Sequence, residues 1–223
     1  MTASLSTGRK SCFLGLFALF IGFLVGCLAS PALASVILSD NTAEPPESFF
    51  LIRSDLRSAS AGFGTDTRAY TLDSVSLLLR DATINGDALF DVSLYSSAGE
   101  GLGQPGTLVG TLAGPADIPT TVSLVRFDGN DLLLAPDSTY WVVLTALEGT
   151  TEWWWTRSNS GLGVGFQGTW GSSTDGGLTW NIFLDDPQIM SVIANLPAPA
   201  TAALLFVALA GLGYSRRKRA PNG

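Results

Sequence analysis

Aromatic side chains are the most concentrated chemistry-bearing residues in this sequence. Five of the six tryptophans, Trp153, Trp154, Trp155, Trp170 and Trp180, lie within 28 residues. Indole rings stack on planar ligands and sugar faces, and they also fill cores and form cross-strand ladders. Because side chains alternate along a strand, Trp153 and Trp155 share one face and Trp154 takes the other. We expect most of these rings to be structural, and we retain glycan binding through Trp153 and Trp155 as a hypothesis.

Catalytic and metal-binding residue types are scarce by comparison. The sequence contains no histidine, and its two cysteines, Cys12 and Cys27, precede the predicted domain. Ser-His-Asp and Cys-His arrangements and the common zinc sites are therefore excluded. A pair of carboxylates would still suffice for a glycosidase, but nineteen acidic residues produce such pairs by chance. The candidates by residue type are Asp185, Asp186, Glu148 and Glu152. We predict no enzyme, no catalytic residue and no cofactor.

One acidic stretch could supply oxygen ligands to calcium. Asp81, Asn85, Asp87 and Asp91 lie within eleven residues, and Gly86 permits a sharp turn among them. The order of residues does not follow the EF-hand pattern, and an Asn-Gly-Asp sequence is also typical of a hairpin. The turn is the favoured interpretation, and we predict no metal site.

The N-terminal 34 residues have the three regions of a signal peptide. Basic residues at 9–10 precede an apolar stretch over 12–28, and Ala32 and Ala34 occupy the small-residue positions of a cleavage site. Cleavage by signal peptidase would leave Ser35 as the first residue. Two alternatives are a permanent membrane helix and a lipoprotein signal, in which the cysteine at the end of Leu-Val-Gly-Cys would be lipidated.

The C-terminal segment over 197–223 is predicted to anchor the chain in a membrane. An apolar run over 198–214 would span about 25 Å as a helix, the short limit for a bilayer. The positive-inside rule keeps the basic cluster that follows it in the cytoplasm, so the preceding domain faces outward. That cluster consists of Arg216, Arg217, Lys218 and Arg219.

A short proline motif, a thin apolar span and a terminal arginine cluster together resemble the PEP-CTERM sorting signal. The motif here comprises Leu196, Pro197, Ala198, Pro199, Ala200 and Thr201. The resemblance implies processing by an exosortase-type enzyme at the inner membrane, followed by a place at the cell surface or in the extracellular matrix. This sequence departs from the family pattern because alanine stands where the glutamate between the prolines is usual. A Gram-positive sortase signal and an anchor that is never cut are the alternatives.

The intervening residues 35–196 are predicted to form one all-β domain, a jelly roll or β-sandwich. Short β-branched and aromatic runs alternate with clusters of turn residues. In one run Val75, Leu77 and Leu79 share a face, and in another Phe90 and Val92 do so. The predicted strands are 36–38, 49–52, 70–79, 90–95, 108–112, 122–127, 139–144, 153–157, 180–183 and 190–194. Many short strands separated by turns are typical of a sandwich.

The middle domain resembles the choice-of-anchor R family, a β-sandwich-like module found with varied surface anchors. The resemblance rests on five pieces in order: Asn41-Thr42, a Tyr-Thr-Leu-x-Ser-Val run at 70–75, Val-Ser-Leu-Tyr at 92–95, Gly-Gln-Pro-Gly-Thr-Leu at 103–108, and Thr-Tyr-Trp-Val-Val-Leu at 139–144. It implies an architecture and no established activity.

Charge narrows the range of partners further. The domain has nineteen acidic residues, six arginines and no lysine, which gives a formal charge of −13. Such a domain repels nucleic acid and anionic lipid. We therefore expect an exported, non-enzymatic surface or exopolysaccharide-matrix protein, with a carbohydrate-binding module as the alternative.

Overall fold

Strands account for the regular structure in the described part of the chain. The computed structural model describes residues 34–55, 57–83, 88–99 and 103–197. The predicted signal helix and membrane helix therefore lie outside the described residues, apart from Ala34 and Pro197 at their margins. The described residues fold as two antiparallel sheets, as expected for an all-β, sandwich-like domain.

Sheet A is built around the long strand β4. One edge of β4 pairs with β13 and then β10, and its other edge pairs with β7 and β8. Strands β1 and β2 are the outer neighbours of β13 and β10. The strands of sheet A are β1 (Ser35–Asp40), β2 (Ser48–Arg53), β4 (Tyr70–Asp81), β7 (Ser123–Asp128), β8 (Leu133–Leu134), β10 (Thr150–Trp155) and β13 (Met190–Asn195).

Sheet B contains six strands in the order β12-β11-β3-β9-β5-β6. Its strands are β3 (Ser58–Gly64), β5 (Leu89–Ala98), β6 (Gln104–Thr111), β9 (Thr139–Glu148), β11 (Phe166–Ser173) and β12 (Asn181–Phe183). Strands β3 and β9 form its centre, β5 and β9 are its longest strands, and β6 and β12 are its edges.

The hydrophobic core draws on the inward faces of both sheets. Leu77 and Val192 from sheet A and Leu94 and Val142 from sheet B are completely buried members of it. Burial of one such side chain stabilises the fold by about 1.5–3 kcal/mol. The predicted alternation in β4 is confirmed, since 75, 77 and 79 are all buried.

Every predicted strand overlaps an observed one, but β3, β8 and β11 were not predicted. Strand β3 reads Ser-Ala-Ser-Ala-Gly-Phe-Gly and is buried throughout. Its small residues permit close approach: a Cβ on Gly62 would lie 2.5 Å from Thr169 Oγ1 and 3.3 Å from the Trp141 ring. Close packing, rather than β-propensity, therefore selects the sequence of β3.

Candidate functional site

Strand β10 positions the three consecutive tryptophans. It lies between β4 and β2, so that Trp153 is opposite Leu79 on one side and Phe50 on the other. The Trp153 ring is 0% exposed, and its Nε1–H donates a hydrogen bond to the Ile189 carbonyl oxygen at 3.1 Å. A buried indole with a satisfied N–H belongs to the core.

The hypothesis that Trp153 presents a sugar-binding face is wrong for this reason. A ligand cannot reach a ring that is fully buried between two sheets. Trp155, its partner in that hypothesis, is half-buried at the end of β10. There its carbonyl oxygen accepts a hydrogen bond from the Glu47 backbone N–H at 2.9 Å. A glycan contact through Trp155 stays a prediction.

Trp154 lies on the outer face of sheet A beside Phe49, the residue opposite it on β2. The two ring centroids are 5.3 Å apart, and the ring planes are tilted by 55°. Both side chains are half-buried. Because the rings are not coplanar, they form a cross-strand aromatic pair rather than a flat platform for a sugar ring.

A second aromatic group, which we call the aromatic edge, consists of Phe50, Trp170 and Phe183. Phe50 belongs to β2 of sheet A, while the other two residues are opposite each other on β11 and β12 of sheet B. Trp170 stacks on Phe183 with centroids 4.4 Å apart and meets Phe50 edge-on at 5.5 Å. Its Nε1–H donates to the Asp185 carbonyl oxygen at 2.8 Å. The aromatic edge thus joins the margins of the two sheets.

An ion pair lies on the outer face of sheet A next to Trp154. Glu152 on β10 is opposite Arg80 on β4, and Arg80 Nη2 donates to Glu152 Oε1 at 2.5 Å. The Glu152 side chain is 2% exposed and that of Arg80 is 38% exposed. The hydrogen bond to Glu152 raises the pKa of Arg80. Glu152 Oε2 is buried without a hydrogen-bond partner in the described part of the chain.

The other carboxylates proposed by residue type do not converge with Glu152. Glu148 is exposed at the end of β9, and Asp185 is exposed beyond β12. Asp186 adopts a positive φ of 52° in the same turn as Asp185. The ion pair engages Glu152 itself, so its carboxylate is not held ready beside a second acid for general acid–base chemistry.

The calcium hypothesis falls partly on residues that the structure does not describe, namely 84–87. Asp81 accepts hydrogen bonds from the backbone N–H groups of Thr83 at 2.7 Å and Ala88 at 3.2 Å. Asp91 accepts one from Ser93 Oγ at 2.7 Å. Within the described ranges, no three acidic, histidine or cysteine side chains cluster in a way that could hold a metal ion.

Two cavities lie between described residues. One, of about 10 Å³, is lined by the buried residues Ser39 and Gln188 among others, and it has room for one water. The other, of about 150 Å³, lies between the loops that contain Glu44 and Ser160. Small-molecule sites usually enclose about 300–1,000 Å³. Neither of these two cavities reaches that volume.

The predicted signal-cleavage site lies beside the first residue of the predicted sorting motif. Strand β1 begins at Ser35 and β13 ends at Asn195, and these two residues are opposite each other in the antiparallel pair. One residue further out, the Leu196 backbone N–H donates to the Ala34 carbonyl oxygen at 3.1 Å. The rest of the predicted site residues, Ala32, Ala198, Pro199, Ala200, Thr201, Arg216, Arg217, Lys218 and Arg219, lie outside the described residues.

No protein-family model matches the chain, and no curated protein matches it. Over the described ranges, no helix has the length and apolar character needed to cross a bilayer.

The aromatic edge and the pairing of the domain ends were not anticipated from the sequence. Phe50 and Trp170 are separated by more than a hundred residues, and the sequence holds no local signal for their contact. The adjacency of Ser35 and Asn195 follows from β1 and β13 being neighbours, which a list of strands does not specify. The Arg80–Glu152 pair had one signal, since Arg80 directly follows three leucines and Glu152 directly precedes the three tryptophans.

Proposed function

We propose that this chain is an exported, non-enzymatic surface or exopolysaccharide-matrix protein, sorted through its C-terminal PEP-CTERM-like tail. The observation that carries the proposal is the pairing of Ser35 with Asn195. Strand β1 begins where signal peptidase is expected to cut, and β13 ends one residue before the sorting motif. The jelly-roll arrangement and the choice-of-anchor R-like identity are parts of the same proposal.

The pairing of the ends suits a domain that is translocated between two membrane segments. Opposite Cα atoms in an antiparallel pair are about 4.5–5.5 Å apart. Ala34 ends the predicted signal and Leu196 begins the predicted sorting motif, and these two residues are hydrogen-bonded neighbours. The signal and the C-terminal apolar run are both expected to enter the same membrane with their basic ends in the cytoplasm. If the two ends of a domain lay on opposite sides, the chain would need linkers about as long as the domain to bring both segments to the same membrane.

The chemistry of the side chains favours a structural or binding role over catalysis. The chain has no histidine, and both cysteines precede Ser35. Among the acidic candidates, Glu152 is buried against Arg80 while Glu148 is exposed elsewhere. The formal charge of −13 between Ser35 and Leu196 disfavours nucleic acid as a partner. The expected partners are signal peptidase, an exosortase-type processing enzyme, the inner membrane and exopolysaccharide.

N-terminal sequencing of the exported protein tests the first processing step. The expected sequence starts at Ser35. A start at a lipidated Cys27 would establish the lipoprotein alternative, and retention of the whole N-terminus would establish the permanent helix.

Neutralisation of the basic end tests the sorting tail. A variant with Arg216, Arg217, Lys218 and Arg219 changed to Gln should be retained less at the inner membrane and should yield less processed product, because these charges hold a short span in place. Arg157→Gln is the control, since Arg157 is exposed in the domain and pairs with the exposed Glu47 at 3.1 Å. Unchanged retention and product size in the tail variant would refute the role of the tail.

Carbohydrate binding is the second candidate function, and the partial exposure of Trp155 favours it. Stacking on one or two rings contributes about 1–2 kcal/mol each, so the dissociation constant should be roughly micromolar to millimolar. Binding should depend little on salt, because surface ion pairs would not carry it. Fluorescence titration with neutral glucans and mannans measures it, and Trp155→Ala should abolish the response. A panel that leaves the emission of the wild-type protein unchanged would eliminate this candidate.

A further inference from the structure

The predicted signal-cleavage site is part of sheet A in the folded domain. The peptide bond between Ala34 and Ser35 is the one that signal peptidase is expected to cut. Ser35 is paired with Asn195, and the Ala34 carbonyl oxygen accepts the Leu196 backbone N–H at 3.1 Å. The bond to be cut therefore joins two residues that are both paired with the C-terminal end of the domain: Ser35 with Asn195, and Ala34 with Leu196.

The same contact holds the first residue of the predicted sorting motif. Leu196 is half-buried, and its side chain packs against the hydrophobic core. Pro197, the next residue, is exposed and has no N–H to donate. The motif therefore begins inside the folded domain and continues outside it. Ala34 supplies the backbone acceptor that extends the β1–β13 ladder to Leu196.

We propose that cleavage after Ala34 releases the start of the sorting motif, so that the two ends of the chain are processed in a fixed order. The inference rests on the proposed function. Signal peptidase hydrolyses the Ala34–Ser35 peptide bond: the C–N bond breaks, water supplies the oxygen of the new Ala34 carboxylate, and the Ser35 nitrogen becomes an ammonium group. Ala34 then departs with the signal peptide. The Leu196 N–H loses its acceptor, while the pairing of Ser35 with Asn195 remains.

The order follows from the exposure of the two sites. Proteases act on backbone that is exposed or has opened. Ala34 and Ser35 are both exposed in the folded domain, so signal peptidase can cut between them, whereas Leu196 is half-buried and hydrogen-bonded to Ala34. A chain that folds with its signal intact keeps Leu196 bound. Such a chain is a poor substrate for the exosortase-type enzyme until signal peptidase has acted.

Hydrogen exchange at the Leu196 amide tests this coupling on the full chain in detergent micelles. One sample is the precursor, kept intact by Ala32→Phe, which puts a bulky residue at the first recognition position. The other is the wild-type chain after cleavage, with its tail present. Leu196 should exchange about 3- to 10-fold faster in the cleaved chain, the factor expected from one net backbone hydrogen bond. The control amide is Val192, which lies fully buried in β13 between β1 and β4.

The outcomes separate the coupling from the proposed function. Equal Leu196 exchange in the two samples overturns the coupling, and so does an equal acceleration at Val192, which would mean that the whole strand loosens. If the exported chain does not begin at Ser35, the proposed cleavage itself is wrong. A start at Ser35 with unchanged Leu196 exchange leaves the proposed function intact and removes the coupling alone.

Discussion

Trp153 and Trp154 are neighbours in β10, yet they belong to two different regions of the molecule. Trp153 lies on the inner face of sheet A, where it is 0% exposed and hydrogen-bonded to the Ile189 carbonyl oxygen. Trp154 lies on the outer face, half-buried beside Phe49 and adjacent in sequence to the Glu152 of the ion pair. The Trp153 side chain is closed off from solvent, and the Trp154 side chain is closed off only in part.

This difference shows that the tryptophan-rich segment serves two purposes. The inner face of β10 contributes apolar burial, which drives folding. The outer face combines tilted aromatic rings with a charged pair, and such groups contribute less to stability when solvent reaches them. Substitutions on the outer face should therefore affect the binding of a ligand or partner more directly than substitutions on the inner face. The predictions below test how far the two regions differ.

The largest expected effect comes from removing the inner ring. Trp153→Ala should lower the free energy of unfolding by about 3–5 kcal/mol, because it leaves a cavity and removes one of the two hydrogen bonds that the Ile189 carbonyl oxygen accepts. The other comes from the Leu78 backbone N–H at 3.2 Å. Urea unfolding followed by circular dichroism measures the loss. Trp154→Ala is the matched control one residue away, and it should lose less than half as much. Equal losses in the two variants would mean that the two faces of β10 do not differ.

An intermediate effect is expected at the ion pair of the outer face. Arg80→Gln leaves the buried Glu152 carboxylate without its partner, which should cost about 1–3 kcal/mol, less than in a fully enclosed site because the Arg80 side chain is 38% exposed. Glu152→Gln removes the buried charge and should cost less. The double variant should recover part of the loss.

A double-mutant cycle on unfolding free energies separates the pair from its surroundings. A coupling energy near zero would show that solvent already screens the pair. In that case the outer face of sheet A would behave like ordinary protein surface, and the contrast with the inner face would be greater than we infer.

The sequence predicts the strands of this domain better than it predicts their neighbours. Alternation in β4 identifies the buried residues Val75, Leu77 and Leu79, because one face of that strand meets the core. Strand β3 was not predicted, since alanine, serine and glycine have low β-propensity and its burial depends on how closely β9 and β11 approach. Such approach is a tertiary property, and no local pattern records it.

Prediction of the candidate site from the sequence is limited in the same way. Alternation places Trp153 and Trp154 on opposite faces of a strand, but it does not say which face meets the core. That choice follows from the Phe50, Leu79 and Ile189 contacts, which come from three distant segments. The fold class could therefore be predicted from short-range pattern, while the exposure of each tryptophan could not.

The smallest expected effect lies at an exposed ion pair, which completes the series from the buried ring to the surface. Arg68 donates hydrogen bonds to the Asp66 carboxylate, with Nη2 and Oδ2 2.5 Å apart, and this interaction lowers the pKa of Asp66 from its ordinary value of 3.8 to about 2. A carboxyl group whose pKa is lowered by folding stabilises the native state above its unfolded pKa. The contribution of Asp66 should therefore be complete above pH 3.8 and should disappear as the pH falls through about 2.

Carboxyl-carbon NMR titration of the wild type and Arg68→Gln checks this, and Asp175 provides an internal control. The pKa of Asp175 is also about 2, but there the hydrogen bonds of Thr179 lower it and no arginine is involved. Arg68→Gln should raise the pKa of Asp66 towards 3.8 and leave that of Asp175 unchanged, and added salt should act on Asp66 more than on Asp175. If both carboxyl groups shift together, the change reflects the whole domain and not the loss of one partner. If neither shifts, the arginine is not what holds Asp66 ionised, and charge pairing matters in this molecule only where water is excluded.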